Sequence, residues 1–284
     1  MTEPGTLYLC ATPIGNLEDI TLRVLRVLKE CDAIWAEDTR RTLRLLNHFG
    51  IKRPLVSCHA HNEAARAQRL LCELRAGKNI AYCSDAGMPG ISDPGAKLLH
   101  ASFKASLPAT VLPGPAAVTA AAVLSGLPCE TFSFLGFLPR DHSPRRQALL
   151  AVAKAPGLLL FYESPQRTAG TLNDLREALG DRPAALLREL TKLHEEVTRG
   201  TLTSLAARFC EPLRGECVIA VGEASPTPET GEQNEETALC AAIDKLLLAG
   251  FSAHDAALAA AAVLSASKNR AYKIAIRQKE GGFA

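Results

Sequence analysis

The fold is constrained most by a regular alternation, along residues 6–112, of short apolar runs with segments of helical periodicity. The apolar runs are TLYLCA (6–11), AIWAE (33–37), PLVSC (54–58), NIAYC (79–83) and TVL (110–112). Between the first two runs, Ile20, Val24 and Val27 recur at the spacing of one helix face. Strands that alternate with helices form a largely parallel sheet with helices on both faces. The region is therefore predicted to be an α/β domain.

A second alternating unit begins near Thr131. Its predicted strands are the runs FSFLGF (132–137), GLLLFY (157–162), AALLREL (184–190) and ECVIAVG (216–222). Its predicted helices lie near residues 144–154, 168–179 and 201–210. Two such units predict two α/β domains, which we place at residues 1–117 and 118–224. A chain of 284 residues is long enough to hold both.

The stretch SPTPETGEQNEET (225–237) interrupts the alternation, because it carries two prolines, four glutamates and almost no apolar residue. It is predicted to be an exposed linker. The alanine-rich residues 238–284 beyond it are predicted to form a small helical domain. In that domain, Ser252 and Asp255 have the spacing of a capping box.

The last helical segment, 268–279, carries basic residues and no acidic residue. Arg270, Lys273 and Arg277 share one helix face at spacing i, i+3, i+7. Two interpretations are open. The run is an ordinary solvated surface face, or it belongs to a helical module that grips nucleic-acid phosphates.

The composition is that of a soluble globular protein, with 47% hydrophobic and 22% charged residues, and no apolar run has the length of a membrane span. The N-terminal residues lack a basic region followed by an apolar core, so no signal peptide is predicted. The nine cysteines include no CxxC pair. They indicate buried, reduced thiols in a cytoplasmic protein rather than disulfides or a metal site.

Three loops rich in proline and glycine follow predicted strands: SDAGMPGISDPG (84–95), ATPIGN (11–16) and LPGPAA (112–117). Glycines after a strand let backbone groups approach a ligand closely, and ligands of α/β sheets bind at the carboxyl ends of strands. Any one loop could be an ordinary turn. Three at equivalent positions favour a single site built mainly from backbone.

The ligand of this site is not indicated to be a nucleoside triphosphate or a dinucleotide. The loops contain neither GxxxxGK[ST] nor GxGxxG, and they contain no lysine. Asp85 and Asp93 suit a ligand that carries positive charge or hydroxyl donors. The residues alone therefore predict a pocket for a polar small molecule.

Several longer motifs accompany the three loops. They are TPIGNLEDIT (12–21), AEDTRRT (36–42), HAHNE (59–63), FLGFLPR (134–140), FYESPQR (161–167), RELTKLHEEVTRG (188–200) and RGECVIAVG (214–222). In these motifs and in the three loops, the chain resembles the ribosomal RNA small subunit methyltransferase I family. That family belongs to the tetrapyrrole methylase superfamily of S-adenosylmethionine-dependent methyltransferases. The resemblance runs from residue 6 to the end, with motif order and spacing kept, and includes the C-terminal SKNRAYKIAI.

The resemblance implies an α/β, two-domain tetrapyrrole-methylase-like (class III methyltransferase) fold with a small C-terminal helical domain. The cofactor S-adenosylmethionine would bind in the cleft between the α/β domains. The implied activity is methylation of the ribose 2′-hydroxyl of a cytidine in the decoding region of 16S ribosomal RNA. The implied partners are the small-subunit RNA, as an assembled subunit, and a second copy in a homodimer, with no membrane.

The resemblance also implies roles for individual residues. Implied cofactor contacts are Pro13, Asp85, Gly87, Met88, Ser92, Ala116, Ala117, Phe161, Leu190 and Ala220. Implied catalytic candidates are Arg40, Lys192 and Glu195. Implied RNA contacts are Arg41, Arg44, Arg140, Arg145, Arg146, Lys268, Arg270, Lys273 and Arg277. The family usually has serine at position 116 and often has threonine at 88, so two side-chain contacts to the cofactor are absent here. A general base is not identified.

Two other functions stay open. A tetrapyrrole C-methyltransferase would share fold and cofactor, but it would need no basic helical tail. A non-catalytic RNA-binding assembly factor would need no intact cofactor loops. The acceptor substrate distinguishes the first alternative, and binding of S-adenosylmethionine distinguishes the second.

Overall fold

The computed structural model describes residues 3–223, 228–264 and 266–281. The chain divides into two compact units, Met1–Ala224 and Ser225–Ala284. The first unit holds two five-stranded sheets, and the described part of the second is helical.

The first sheet is wholly parallel. Its strands are β1 (Leu7–Cys10), β2 (Ala33–Ala36), β3 (Leu55–Ser57), β4 (Ile80–Cys83) and β5 (Ala109–Leu112). They pair in the order β3-β2-β4-β1-β5. The helices between them are α1 (Leu22–Glu30), α2 (Thr39–His48), α3 (Glu63–Arg75) and α4 (Ala96–Lys104). The predicted parallel α/β arrangement is confirmed for this half.

Both faces of the first sheet are buried, which explains why its strands are almost continuously apolar. Along β1, Leu7 and Leu9 pack in one core with residues of α3 and α4. Cys10 points to the opposite face and packs with residues of α1 and α2. This alternation follows from the two-residue period of a strand.

The second sheet is mixed, unlike the first. Its strands are β6 (Phe132–Phe137), β7 (Leu158–Glu163), β8 (Pro183–Arg188), β9 (Glu196–Thr201) and β10 (Cys217–Val221). They pair in the order β6-β7-β10-β8-β9, and only β6 and β7 are parallel. Around it lie α5 (Ala117–Leu124), α6 (His142–Ala151), α7 (Thr168–Leu179) and α8 (Leu202–Arg208). The alternation of predicted elements does not reveal this antiparallel pairing.

Strand β9 was not predicted, because EVTRGT is polar and short of apolar residues. It is an edge strand that pairs with β8 alone, from Glu196 opposite Arg188 to Thr201 opposite Pro183. Only Thr198 of this strand is buried. Edge strands tolerate polar residues, so apolar alternation does not mark them.

The second unit contains α9 (Pro228–Leu248), α10 (Ala253–Val263) and α11 (Lys268–Gly281). Small side chains such as Ala257 and Ala260 pack with Leu239 and Ile243 in its core. The Ser252 hydroxyl accepts the Asp255 N–H at the start of α10, as the capping pattern predicts. The predicted linker 225–237 is wrong over most of its length, because α9 begins at Pro228. Proline suits the first helical position, and glutamate is a good helix former.

Among the described residues, no helix combines the length and the apolar character that a membrane crossing requires.

The nine cysteines are all unpaired thiols. Five are buried, namely Cys10, Cys31, Cys58, Cys83 and Cys217. Burial raises the pKa of Cys31 and of Cys58 to about 11. Cys72 and Cys210 are exposed.

Candidate functional site

A cavity of about 360 Å³ opens between the loops of the first sheet and those of the second. The first half of the unit lines it with Ile14, Ala86, Gly87, Met88, Ile91, Ser92, Asp93, Ala116 and Ala117. The second half lines it with Phe137, Tyr162, Glu163, Ser164, Pro165, Glu216, Cys217 and Val218. The volume is typical of a small-molecule site.

The three proline- and glycine-rich loops meet at this cavity, as predicted. They follow β4, β1 and β5, which are adjacent in the sheet and parallel, so their carboxyl ends share one edge. Each loop contributes to the lining: Ile14 comes from the loop after β1, Gly87 from the loop after β4, and Ala116 from the loop after β5. The three loops therefore form one side of a single site.

Two of these loops are joined by backbone hydrogen bonds. Thr12 and Gly87 each donate an N–H to the other's carbonyl at 2.9 Å. Gly87 has φ +74°, and a Cβ at this position would lie 3.2 Å from Ile14 Cγ2. Glycine is required here by both the left-handed backbone and the close neighbour.

The far end of the 84–95 loop is held by a buried carboxylate from the HAHNE motif. Glu63 Oε1 accepts backbone N–H groups of Gly95, Lys97 and Leu98 at 2.8, 3.1 and 3.4 Å. These groups lie at the start of α4 and have no partner within the helix. Glu63 thus fixes where the loop ends. The sequence shows the HAHNE motif, but it does not indicate this role of the Glu63 carboxylate.

The second half reaches the cavity through the end of β7 and the beginning of β10. These strands are antiparallel, with Cys217 opposite Glu163 and Val218 opposite Tyr162. The start of β10 therefore lies at the same sheet edge as the end of β7. The predicted parallel arrangement would have placed the carboxyl end of β10 there instead.

This geometry corrects three predicted cofactor contacts. Phe161 is fully buried on the opposite face of the sheet, one residue away from Tyr162, which does line the cavity. Ala220 lies on the correct face, but it is buried and pairs with Leu160, two positions from the cavity edge. Leu190 is buried in the same core cluster as Ala220.

A smaller cavity of about 200 Å³ is lined in part by Thr12, which bonds to Gly87 of the larger cavity. Its lining is Thr12, Pro13, Leu17, Arg41, Thr42, Arg44, Leu45, Ser84 and Asp85. Two predicted cofactor residues, Pro13 and Asp85, therefore belong to this cavity rather than to the larger one. Two predicted RNA contacts, Arg41 and Arg44, lie beside them.

Asp85 has partners on both sides. Its Oδ1 accepts the Asp38 N–H at 3.0 Å, and its Oδ2 pairs with Arg41 Nη1 at 3.2 Å. The Asp85 N–H donates to Glu37 Oε2 at 3.2 Å. Burial, opposed by the Asp85 backbone hydrogen bond, raises the pKa of Glu37.

Asp93 lines the larger cavity and is half-buried. Burial first, and then the nearby charge of Glu37, raise the pKa of Asp93 to about 7. The nearby Ser84 hydroxyl opposes this rise. A carboxyl group with such a pKa changes protonation near neutral pH.

In the second half, a turn at residues 189–192 is held by charges. Glu189 and Thr191 have left-handed backbones, with φ +50° and +64°. Lys192 Nζ contacts Glu189 Oε1 and Glu216 Oε2, each at 2.9 Å. The hydrogen bond from Lys192 is the largest effect on Glu189 and lowers its pKa. Burial lowers the pKa of Lys192, but its bonds to Glu216 and Glu189 outweigh this and raise it, so Lys192 stays charged.

The 189–192 turn packs against the first loop of the first sheet. A Cβ on Gly15 would lie 2.7 Å from Thr191 Oγ1 and 2.8 Å from the Leu190 carbonyl oxygen. Such distances are shorter than any side chain tolerates, so only glycine fits. The two halves of the first unit are in close contact here.

The predicted catalytic residues lie outside the lining of the larger cavity. Arg40 is exposed and pairs with Asp38 at 2.7 Å. Glu195 accepts the Thr191 N–H at 2.7 Å and is exposed. Lys192 is linked to the cavity through Glu216, which lines it.

The predicted RNA contacts differ in exposure. Arg140 and Arg146 are exposed beside the start of α6. Arg145 differs from the predicted exposed RNA contact. Its side chain is only 13% exposed, pairs with Asp174 and donates to the Arg140 carbonyl at 2.7 Å. It holds the loop before α6 in place and does not present a free charge.

On α11, the predicted contacts Lys268, Lys273 and Arg277 are exposed. Arg270 is half-buried and pairs with Glu236 of α9 at 2.8 Å. The predicted single face of three basic residues is therefore divided, because one of them is engaged within the helical unit.

One group of potential metal ligands occurs among the described residues. His142, Asp174 and Glu177 offer ligand atoms within 4.8 Å of one another. Asp174 already pairs with Arg145 and lies 3.5 Å from His142 Nε2. We assign no metal to this group.

Comparison with known proteins gives concordant matches. The profile of the Tetrapyrrole (Corrin/Porphyrin) Methylases matches residues 6–206. The Ribosomal RNA small subunit methyltransferase I of Halalkalibacterium halodurans is 50% identical over 222 residues, which cover 78% of this chain and 77% of that protein. The protein of the same name from Pseudomonas aeruginosa is 41% identical over 279 residues, which cover 97% of this chain and 98% of that protein.

Solved structures agree on the fold. The uroporphyrin-III C-methyltransferase of Thermus thermophilus complexed with S-adenosylhomocysteine has a TM-score of 0.55 and 21% identity, over 77% of this chain and 98% of that chain. The native form of that enzyme has a TM-score of 0.56 and 20% identity. At such identities the likeness shows the fold alone. The tetrapyrrole-methylase-like fold expected from the motifs is thereby confirmed.

Proposed function

The chain belongs to the ribosomal RNA small subunit methyltransferase I family of the tetrapyrrole methylases, and from this premise we propose that it methylates the ribose 2′-hydroxyl of a cytidine in the decoding region of 16S ribosomal RNA. The methyl donor is S-adenosylmethionine. The observation that carries this proposal is the larger cavity, a mainly apolar cleft with carboxylates in its lining, near a smaller cavity lined by two arginines.

The chemistry of the larger cavity fits S-adenosylmethionine. Its apolar lining, which includes Ile14, Met88 and Val218, suits the adenosine and the carbon chain of this molecule. The acidic residues Glu163 and Glu216 make the lining more negative, which suits its positively charged sulfonium and amino groups. Among the described residues, no lysine or arginine lines the cavity, which disfavours a triphosphate.

The residues that would hold the donor are those of the three loops and of the facing strand ends. Gly87 and Met88 present backbone, Ser92 presents a hydroxyl, and Ala116 and Ala117 close the cleft with small side chains. When bound, S-adenosylmethionine supplies an electrophilic methyl group carried on a sulfonium. The two departures from the family pattern, at 88 and 116, leave backbone contacts unaffected.

The chain contributes chiefly by positioning the acceptor. Methyl transfer requires the attacking oxygen to align with the methyl group, and such alignment contributes about 7–11 kcal/mol. The loops that line the cavity are held by the Thr12–Gly87 bridge and by Glu63, so the site is formed before the acceptor binds. This preorganisation supports a positioning mechanism.

Ribosomal RNA would be bound by basic side chains outside the larger cavity. Arg41 and Arg44 line the smaller cavity, and Arg140 and Arg146 are exposed. Exposed Lys268, Lys273 and Arg277 on α11 would add phosphate contacts. Arg145 is excluded from this set, and Arg270 acts within the helical unit. We further propose that the protein acts in the cytoplasm, as a homodimer, on the assembled small subunit.

The test is methylation of small ribosomal subunits isolated from a strain that lacks this protein. The purified protein and S-adenosylmethionine should create a single ribose methylation, mapped as a nucleotide resistant to alkaline hydrolysis. Parallel reactions use free 16S RNA and a uroporphyrinogen-type tetrapyrrole. Methylation of the tetrapyrrole and not of RNA would overturn the proposal. Methylation of a base rather than a ribose would overturn its chemistry.

A further inference from the structure

Three carboxylates line the larger cavity, and their surroundings differ. They are Asp93, Glu163 and Glu216. Glu163 is buried, and its oxygens accept the Ser164 N–H at 2.8 Å and the Thr171 hydroxyl at 2.6 Å. These bonds commit Glu163 to holding the end of β7 and α7 together.

Glu216 is engaged by a cation, because Lys192 Nζ lies 2.9 Å from its Oε2. Asp93 differs from both. Among the described residues, no basic side chain forms an ion pair with Asp93. Glu163 Oε1 lies 3.5 Å from Arg167 Nε, so Asp93 is the one cavity-lining carboxylate of the described chain without a charged partner.

The position of Asp93 suits contact with an acceptor that enters from solvent. The two residues before it, Ile91 and Ser92, are exposed at the rim of the cavity, and Asp93 is half-buried behind them. Ser92 has φ +62°, so the loop turns sharply just before Asp93. Asp93 therefore lines the cavity directly beside residues that solvent reaches.

Charged and titratable groups surround Asp93 on several elements. From the first half these are Glu37, Asp85 and Tyr82, and from the second half Tyr162 and Glu216. The nearby cations Arg41 and Lys192 are paired with Asp85 and Glu216. The surrounding field is therefore predominantly negative, which disfavours the ionised form of Asp93.

We propose that Asp93 is the general base of the methyl transfer, the group that accepts the proton of the ribose 2′-hydroxyl. This inference rests on the proposed function. The hydroxyl oxygen forms a bond to the methyl carbon as the bond of that carbon to sulfur breaks and leaves its electron pair on sulfur. The hydroxyl proton passes to a carboxylate oxygen of Asp93, which later releases it to solvent.

The raised pKa of Asp93, about 7, agrees with this role. A general base works best when its pKa lies near the working pH, because it is then both deprotonated and basic enough. Lys192 is not suited to the role, since its raised pKa keeps it protonated.

The first experiment replaces Asp93 with asparagine and measures methylation of small subunits from pH 5.5 to 9. For the wild type, kcat/KM should rise with pH through about 7 and then level off. D93N should lower kcat by about a hundred- to ten-thousand-fold and lose this rise. Calorimetry should show that D93N still binds S-adenosylmethionine, since a base acts on the acceptor.

The second experiment shifts the pKa of Asp93 without replacing Asp93 itself. Glu37→Gln removes a neighbouring negative charge but keeps an oxygen that accepts the Asp85 N–H. The midpoint of the pH–rate rise should fall by about one unit. Glu30→Gln is the matched control, because Glu30 is an exposed carboxylate at the end of α1 that pairs with Arg26. Its pH profile should equal that of the wild type.

The outcomes separate this inference from the proposed function. A wild-type protein that binds S-adenosylmethionine but methylates no ribose overturns the proposed function and the inference with it. An active wild type with an equally active D93N overturns the inference alone. The same holds if D93N loses donor binding yet keeps its kcat at saturation, since Asp93 would then bind the donor. An unshifted profile in E37Q also counts against it.

Discussion

The 84–95 loop and the 189–192 turn both place left-handed backbone beside the cleft, but different forces hold them. The 84–95 loop uses glycines at most of its positive-φ positions, together with backbone bonds and the buried Glu63. The 189–192 turn places Glu189 and Thr191, which are not glycines, in the same region, and Lys192 ties it to Glu216. The 84–95 loop is thus maintained by backbone conformation and close packing, and the 189–192 turn by ion pairs.

This difference predicts different weaknesses. A segment maintained by shape should fail when a side chain is added, and it should be insensitive to salt. A segment maintained by partly exposed ion pairs should respond to charge removal and salt, but only weakly, because solvent screens such pairs.

The largest effect is expected for Gly87→Val. A β-branched side chain at φ +74° is strained by about 1–3 kcal/mol, and it would also crowd Ile14 in the cavity wall. Calorimetry should find no binding of S-adenosylmethionine. Gly50→Val is the matched control, because Gly50 has φ +64° but no atom within 4 Å of an added Cβ. Gly50→Val should have the same backbone strain and still bind S-adenosylmethionine. An equal loss of binding in both variants would contradict a role for the cavity wall at Gly87.

The next largest effect is expected for Glu63→Ala. It leaves three backbone N–H groups at the start of α4 without their carboxylate partner, which should lower the free energy of unfolding by about 3 kcal/mol. Urea denaturation measures this loss. Glu63→Gln keeps an accepting oxygen and should lose less. If glutamine is as damaging as alanine, the charge rather than the hydrogen bonds matters there.

A smaller effect is expected for Lys192→Ala in the charge-held turn. The variant leaves Glu189 beside Glu216 without a cation, but Glu216 is 75% exposed, so the loss of stability should be about 1 kcal/mol. Raising the salt concentration should shrink the difference from wild type. Arg26→Ala, which breaks the exposed pair with Glu30, should cost less. A loss at 192 that is indifferent to salt would mean that packing, not charge, holds the turn.

The last effects concern pH, and they should have opposite signs in the two segments. The pKa of Asp93 is raised from 3.8 to about 7, so the folded protein holds a proton that the unfolded chain releases, and stability falls as pH rises through that window. The pKa of Glu189 is lowered from 4.5, so its contribution exists above pH 4.5 and is lost as pH falls below it.

Unfolding by urea at a series of pH values measures both contributions. D93N should flatten the decline between about pH 4 and pH 7, and Glu189→Gln should flatten the loss below pH 4.5. Two variants with the same pH dependence would remove the distinction between the segments.

Much of the first half could be predicted from the sequence, because its signals are local. Parallel strands that are buried on both faces have continuous apolar sequences. The loops that follow parallel strands lie at the same edge of the sheet. The meeting of Ile14, Gly87 and Ala116 at one cavity follows from these two facts alone.

The second half could be predicted less well, because the local pattern of apolar residues does not indicate the direction of a strand within the sheet. The antiparallel direction of β10 exchanges its two ends, so Glu216 rather than the predicted Ala220 lines the cavity. The choice of Phe161 over Tyr162 was an error of one residue in a strand whose two faces are both apolar. The roles of Glu63 and Asp93 depend on partners 30 or more residues away, which no spacing reveals.

The distribution of thiols has a practical consequence for spectroscopy. Alkylating dyes react with thiolates, so buried thiols whose pKa is raised, such as Cys31 and Cys58, should react slowly. The exposed thiols stand on opposite halves of the first unit, Cys72 in α3 beside the first sheet and Cys210 just after α8 beside the second. The natural chain thus carries a fluorophore attachment point on each half. Energy transfer between two dyes attached there would report any opening of the cleft as donor and RNA bind.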